Sequence, residues 1–227
     1  AILVAIAWRR PLWLAMPLVA FAGYYAEAAR WTWVFAPAIW AGMLSLSGSK
    51  LKGARLSLRN WLHAVFFWLF GIVIWATSST IPDAGTAISQ QRLLWYRLLP
   101  NETYRVGVLG GLLIAVLPLI ILLGYLLRKK YWQPSLWQKI TMLGSLFAFL
   151  GVGIMISTKI GGGSNLHNLD MFLIALLFVT AIAWQNGGRE WFADAENAPF
   201  WMKTTFILLL ALPAFISFSG LHPRLHL

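Results

Sequence analysis

The stretch STKIGGGSNLHNLD, Ser157 to Asp170, holds a lysine, three consecutive glycines, two asparagines, a histidine and an aspartate between two apolar segments. Gly161, Gly162 and Gly163 cannot make a stable lipid-facing helix, because glycine is a poor helix former and exposes backbone. They let the chain turn and bring N–H groups close to a ligand, as in anion-binding nests. Lys159 adds positive charge beside them. Asn165 and Asn168 offer amide donors and acceptors, and His167 can donate, accept or shuttle a proton. Asp170 precedes the apolar run MFLIALLF and reads as a helix N-cap. A connector closed by a cap is the plain alternative. So many polar residue types in one short stretch favour a binding site.

A second group lies in the loop 79–105, STIPDAGTAISQQRLLWYRLLPNETYR. Its middle, ISQQRLLWYRLLP, has apolar positions at helical spacing and predicts a short amphipathic helix on the outer membrane surface. Arg92, Arg97 and Arg105 would then flank the bilayer at phosphate depth, and arginine is the preferred bidentate partner of phosphate. Generic headgroup contact is the competing reading. Asp83 and Glu102 are the only carboxylates of this loop. Glu102 follows Pro100 and Asn101 and favours the start of the next helix. Asn101 also opens a glycosylation sequon, a pattern common by chance.

Other polar residues carry less. His63, embedded in NWLHAVFFW, reads as a packed or interfacial histidine. His222 and His226 do not make a metal site without a helix and a third ligand. Neither a phosphate-binding Walker loop nor a nucleophile elbow is present. QNGGREWFADAEN reads as a turn followed by an interfacial stretch, without paired carboxylates.

These residues need elements to position them, and composition says which. The 227 residues are 59% hydrophobic and 11% charged, with a mean hydropathy of +0.71, so the solvent must be lipid. The expected class is an all-α integral membrane protein, a single transmembrane domain over 1–227 built as a bundle of about seven helices. Apolar windows place spans near 11–25, 31–47, 58–78, 106–127, 140–157, 171–184 and 201–219, with 171–184 the weakest. Pro17, Pro37 and Pro118 fall inside them, where neighbouring helices can compensate lost hydrogen bonds. No cysteine is present, which excludes disulfides and thiolate metal sites.

The net charge of +11 is scattered between spans and reads as topology and lipid contact, not nucleic-acid binding. Alternate threading puts twelve of the eighteen basic residues on one side: Arg9, Arg10, Lys50, Lys52, Arg55, Arg59, Arg128, Lys129, Lys130, Lys139, Arg189 and Lys203. The positive-inside rule makes that side cytoplasmic. The loop 79–105 and the Gly-rich loop 158–170 then both face outward. Trp31, Trp33, Trp61, Trp95, Trp132, Trp137, Trp184, Trp191 and Trp201 fall near span ends, as an interfacial belt would. The chain opens AILVAIAWRRP, and residues 1–8 read as the tail of a helix in a longer protein.

Short helices, Trp-rich span ends, the outer amphipathic loop and the late STKIGGGSNLHNLD hinge together resemble the membrane-embedded GT-C glycosyltransferases. The resemblance is to the branch containing protein mannosyltransferases and the lipid A aminoarabinose transferase. It covers about the last two thirds of the chain and rests mainly on Lys159 to Asp170. It implies transfer of a sugar from a polyprenyl-phosphate carrier to an acceptor on the extracytoplasmic face, in a bacterial plasma membrane. Lys159 and the loop arginines would neutralise the carrier phosphate as it leaves, where negative charge develops. The glycines, Asn165, His167 and Asn168 would shape the sugar or acceptor pocket. The family's catalytic aspartate sits in a first outer loop that matches no residue here, so the resemblance implies a general base upstream of Ala1. Asp83, Glu102 and Asp170 are fallback candidates only. A divalent cation occurs in this superfamily, but no ligand set here demands one.

Two other readings compete. A transporter or flippase of a lipid-linked substrate fits broken helices and a basic surface. Against it, the confident spans hold no charged residue at mid-membrane, where pumps and ion carriers keep ionisable groups. A non-catalytic subunit of a larger membrane assembly, with protein partners around it, is the third.

Overall fold

In the computed structural model every regular element among the described residues is helical. Those residues are 1–29, 31–47, 58–77, 91–102, 106–159 and 166–193, together with 196, 198–205, 207, 208 and 211. Helix α1 (Ile2–Ala7) turns into α2 (Leu12–Ala29), followed by a 3-10 turn at Trp31–Trp33 and α3 (Ala36–Ser47). Next come α4 (Leu58–Thr77), a 3-10 turn at Trp95–Leu98, α5 (Val108–Arg128) and α6 (Leu136–Lys159). A 3-10 turn at Leu166–Leu169 opens α7 (Asp170–Ala183), and a π-type turn, Trp184–Gly188, joins it to α8 (Arg189–Ala193). Residues 200–205 are helical again. Gly161, Gly162, Gly163, Asn165, Arg105, Asp83 and most of the expected span 201–219 lie outside the described residues.

Among the described residues, five stretches are long and apolar enough to cross a membrane: Leu12–Ala29, Leu58–Thr77, Gly107–Arg128, Leu136–Lys159 and Leu166–Ala193. The expected crossing at 31–47 is different. It breaks into the Trp31–Trp33 turn and the 12-residue α3. At 1.5 Å per residue α3 is about 18 Å long, short of the ~30 Å hydrocarbon core. It lies in the middle of the bundle, with ten of its residues buried. Pro37 falls in its first turn, where a missing N–H costs no helical bond. Pro17 and Pro118 are interior to α2 and α5, as expected.

Trp40 of α3 is the centre of the core. Its ring packs 5.9 Å from Phe149 of α6 and 6.0 Å from Phe178 of α7, and its Nε1–H donates to the Met171 carbonyl at 3.3 Å. That bond gives the indole's one polar group a partner where no water is available.

The span expected to be weakest, 171–184, belongs to the most enclosed stretch. Leu166–Ala193 is 50% buried within its apolar window, against 17% for α4. The apolar run reads short because Asn186, Gly187 and Gly188 interrupt it, and the helix breaks there: Asn186 (φ −110°, ψ 28°) and Gly187 leave the helical region, so α7 meets α8 at a kink. Gly187 has φ +137°, and a Cβ there would collide with the Tyr131 carbonyl. The turn thus depends on glycine at this position. Trp191, expected in the interfacial belt, is buried with its ring 5.9 Å from Tyr125, and Trp132 is buried as well. Trp95, Trp137, Trp184 and Trp201 are exposed, as a belt requires.

Long-range contacts gather one set of helix ends. Arg9 Nη2 reaches Gln185 Oε1 at 3.5 Å, Trp61 packs edge-on to Trp137 at 5.7 Å, and Tyr125 packs against Trp201 at 5.5 Å. Arg9, Arg10, Arg59, Arg128, Lys129, Lys130, Lys139, Arg189 and Lys203 therefore share one end of the bundle, as alternate threading requires. At this basic end, Ser135 and Gln138 form a capping box that starts α6. The Ser135 N–H donates to Gln138 Oε1 at 2.9 Å and the Gln138 N–H to Ser135 Oγ at 3.3 Å. Gln138 Nε2 also donates to the Ser47 carbonyl at 3.1 Å, tying the end of α3 to the start of α6.

Candidate functional site at the opposite end

The end of α6 carries Lys159, and two segments distant in sequence converge on it. A helix leaves its last carbonyls without intrahelical partners. Here the segment 91–99 supplies them: the Leu94 N–H donates to the Thr158 carbonyl at 3.0 Å, and Arg97 Nη1 donates to the Lys159 carbonyl at 3.1 Å. Arg97, expected to meet lipid phosphate, thus has a structural task. It holds the segment on the helix end. Arg92 is exposed on the same segment. Where a short amphipathic helix was expected over this region, the described part forms only the 3-10 turn Trp95–Leu98. Tertiary hydrogen bonds to α6 replace the intrahelical ones.

The second segment is the turn Leu166–Leu169. It packs on α6 because residue 153 has no side chain: a Cβ on Gly153 would sit 2.6 Å from Leu169 Cδ2 and 2.8 Å from the Asn168 carbonyl oxygen. A small apolar cluster of Leu98, Val108 and Leu169, backed by Leu112, Leu150, Ile154 and Leu166, fastens both turns to α5 and α6. Gly107 completes the arrangement. With φ +73°, it allows residues 99 and 100 to pass directly over the start of α5.

The outcome for each expected site residue is as follows. Arg97 and Lys159 are directly joined. Asn168 and Asp170 flank Leu169, whose side chain shares the apolar cluster with Leu98, the neighbour of Arg97. His167 lies in the same turn, half-buried, and Asn168 is buried. Of the stretch 158–170 expected as a Gly-rich loop, Thr158 and Lys159 are the last turn of α6 and Leu166–Leu169 is a 3-10 turn, while 160–165 lie outside the described residues. Asp170 is the first residue of α7 and not its cap. The cap residue is Leu169, which makes no side-chain capping bond. A carboxylate in the first turn still interacts favourably with the helix dipole. Glu102 falls just before α5.

Sequence reading missed Gly153 and Gly107, because a close backbone approach leaves no periodic signature. It also missed Gln138, although the Ser-x-x-Gln pattern at 135–138 was there to be read. Among the described residues no group of three or more His, Asp or Glu side chains is placed to hold a metal ion. Ser157 and Thr158 turn their hydroxyls onto their own helix, bonding the Gly153 and Met155 carbonyls at 2.8 Å. Chemically the described site gathers the cationic Arg97 and Lys159, the His167 imidazole, the Asn168 amide and the Asp170 carboxylate toward one helix end. No protein-family model, curated protein or solved structure matches the chain.

Proposed function

We propose that the chain is the membrane-embedded part of a glycosyltransferase that takes a sugar from a polyprenyl-phosphate carrier, with this end of the bundle forming the wall of the carrier-phosphate and sugar site. One observation carries the reading. The outer segment and the end of α6, 62 residues apart in sequence, are joined by the Arg97 guanidinium on the Lys159 carbonyl. The Arg97 charge is thereby fixed at the helix end that carries Lys159, and cations at that place would neutralise a departing phosphate. The positive-inside rule supports an extracytoplasmic position for this end, since it lies opposite the basic clusters. A seven-helix GT-C-type bundle would count α3 and the helical residues from 200 beside the five long apolar stretches, and the rest of the outer loop would lie along the membrane surface. His167 and Asn168 would contact sugar or acceptor, and Lys159, Arg92 and Arg97 the phosphate.

The test uses the protein in lipid nanodiscs with a photoreactive polyprenyl phosphate and with polyprenyl-phosphate-linked mannose or aminoarabinose. Cross-links should map to 91–99 and 166–170. Lys159→Ala should weaken capture about fivefold, the effect of one charge near a membrane surface. Cross-links confined to the basic end, or undiminished capture by Lys159→Ala, would refute the site. With a hydroxyl-bearing acceptor added, a transferase joins the sugar to the acceptor oxygen and frees polyprenyl phosphate, whereas a flippase moves its carrier intact.

A further inference from the structure

At the basic end, remote from both turns, α1, α3 and α4 leave a crevice between them. Its floor is apolar, made by the buried Val4, Ala7, Ala41 and Phe67. Its mouth is polar, carrying Arg9, Arg10, Ser45 and His63, with Trp8 at the side. The crevice is shallow: the space it encloses is about 10 Å³, room for about one water, and the rest of its ~240 Å³ is open mouth. A ligand would therefore sit in the mouth and lean on the floor.

The cations are set there by the turn between α1 and α2. The Arg10 N–H donates to the Ala7 carbonyl at 3.1 Å, and Arg9 takes φ +66°, a left-handed conformation uncommon outside glycine. Pro11 follows, and its ring disfavours helical backbone at Arg10. The two arginines thus leave the chain at a sharp, sequence-determined corner. Arg9 lies over the Trp8 ring, 4.4 Å from its centroid, and reaches Gln185. Arg10 is exposed at the mouth. Ser45 spends its hydroxyl proton on the Ala41 carbonyl at 2.9 Å, so recognition of an anion falls to the cations.

The surroundings decide which anion. α4, which carries His63, exposes Leu62, Phe66, Leu69 and Val73 and is the least buried of the long helices. Apolar side chains exposed along a membrane-crossing helix face acyl chains. The crevice opens beside that face and at the end of the bundle where exposed tryptophan and the basic groups mark the headgroup level. We propose that it binds the phosphate headgroup of an anionic bilayer lipid, with Arg10 and Arg9 on the phosphate, His63 at the edge, and the acyl chains along α4. Basic pockets between membrane helices have the chemistry for such headgroups. The site is independent of the sugar-transfer reading, since it shares no residue with that end.

The experiment is native mass spectrometry of the detergent-solubilised protein titrated with phosphatidylglycerol or phosphatidylcholine. One phosphatidylglycerol should be retained with about fivefold or greater preference, and Arg10→Gln should lose about fivefold in affinity. Lys139→Gln, at the same end but outside the crevice, should leave binding unchanged. Equal retention of the two lipids overturns the proposal, as does a loss in Lys139→Gln matching that in Arg10→Gln. Displacement of the lipid by millimolar inorganic phosphate would make the site one for free anions and overturn the lipid assignment.

Discussion

Replacing Gly153 by alanine puts the packing of the candidate site to a direct test. The new Cβ would stand 2.8 Å from the Asn168 carbonyl oxygen, about 0.6 Å inside the 3.4 Å at which ordinary contact begins, and 2.6 Å from Leu169 Cδ2. The leucine methyl can swing aside, but the carbonyl is backbone, so the turn Leu166–Leu169 has to move off α6. Overpacking of this kind costs about 1–3 kcal/mol. Alanine recovers up to about 1 kcal/mol of helix propensity. Because the clash is with backbone, the upper part of that range, about 2–3 kcal/mol, applies, and the net expectation is a loss of about 1–2 kcal/mol. The same helix supplies its own control, for a Cβ on Gly144 or Gly151 meets nothing within 4 Å. Alanine at those positions should be neutral or stabilising by up to about 1 kcal/mol. Unfolding in mixed detergent micelles, followed by tryptophan fluorescence, reads all three variants. Weaker capture of polyprenyl phosphate by Gly153→Ala would tie the turn to the proposed site. A Gly153→Ala protein as stable as the parent, or a Gly151→Ala protein equally damaged, would refute the packing argument.

Two further variants probe the basic end by the same unfolding assay. Gly187→Ala forces a left-handed φ on a residue with a Cβ and drives that atom into the Tyr131 carbonyl; a loss of at least about 2 kcal/mol is expected, and stability within 0.5 kcal/mol of the parent would deny the π-type turn. Gln138→Leu removes the capping box of α6 and the donor to the buried Ser47 carbonyl; about 2–3 kcal/mol should be lost. A Gln138→Leu protein of unchanged stability would mean that both bonds are dispensable.

Composition pointed to lipid, and apolar runs long enough to span it as helix pointed to an all-helical chain. A mean hydropathy of +0.71 cannot be buried in water, and lipid admits backbone only in fully hydrogen-bonded forms. The spacing of basic groups likewise placed Arg9, Arg59, Lys139 and Arg189 at one end, because each crossing reverses the chain. Apolar periodicity could not tell a membrane crossing from a buried internal helix, so α3 was read as a span and the stretch opening α7 as a weak one. That difference lies in neighbours: α3 is short and enclosed by α4, α6 and α7, while the bulge at Gly187 exists only because Tyr131 packs against it. For the site, the sequence singled out residue types, and Lys159, His167 and Asn168 could be chosen for their chemistry. What brought Arg97 onto the Lys159 carbonyl was tertiary. A helix end must find acceptors' partners outside itself, and which segment supplies them depends on close approaches at Gly107 and Gly153 that no pattern of residue types along a chain records.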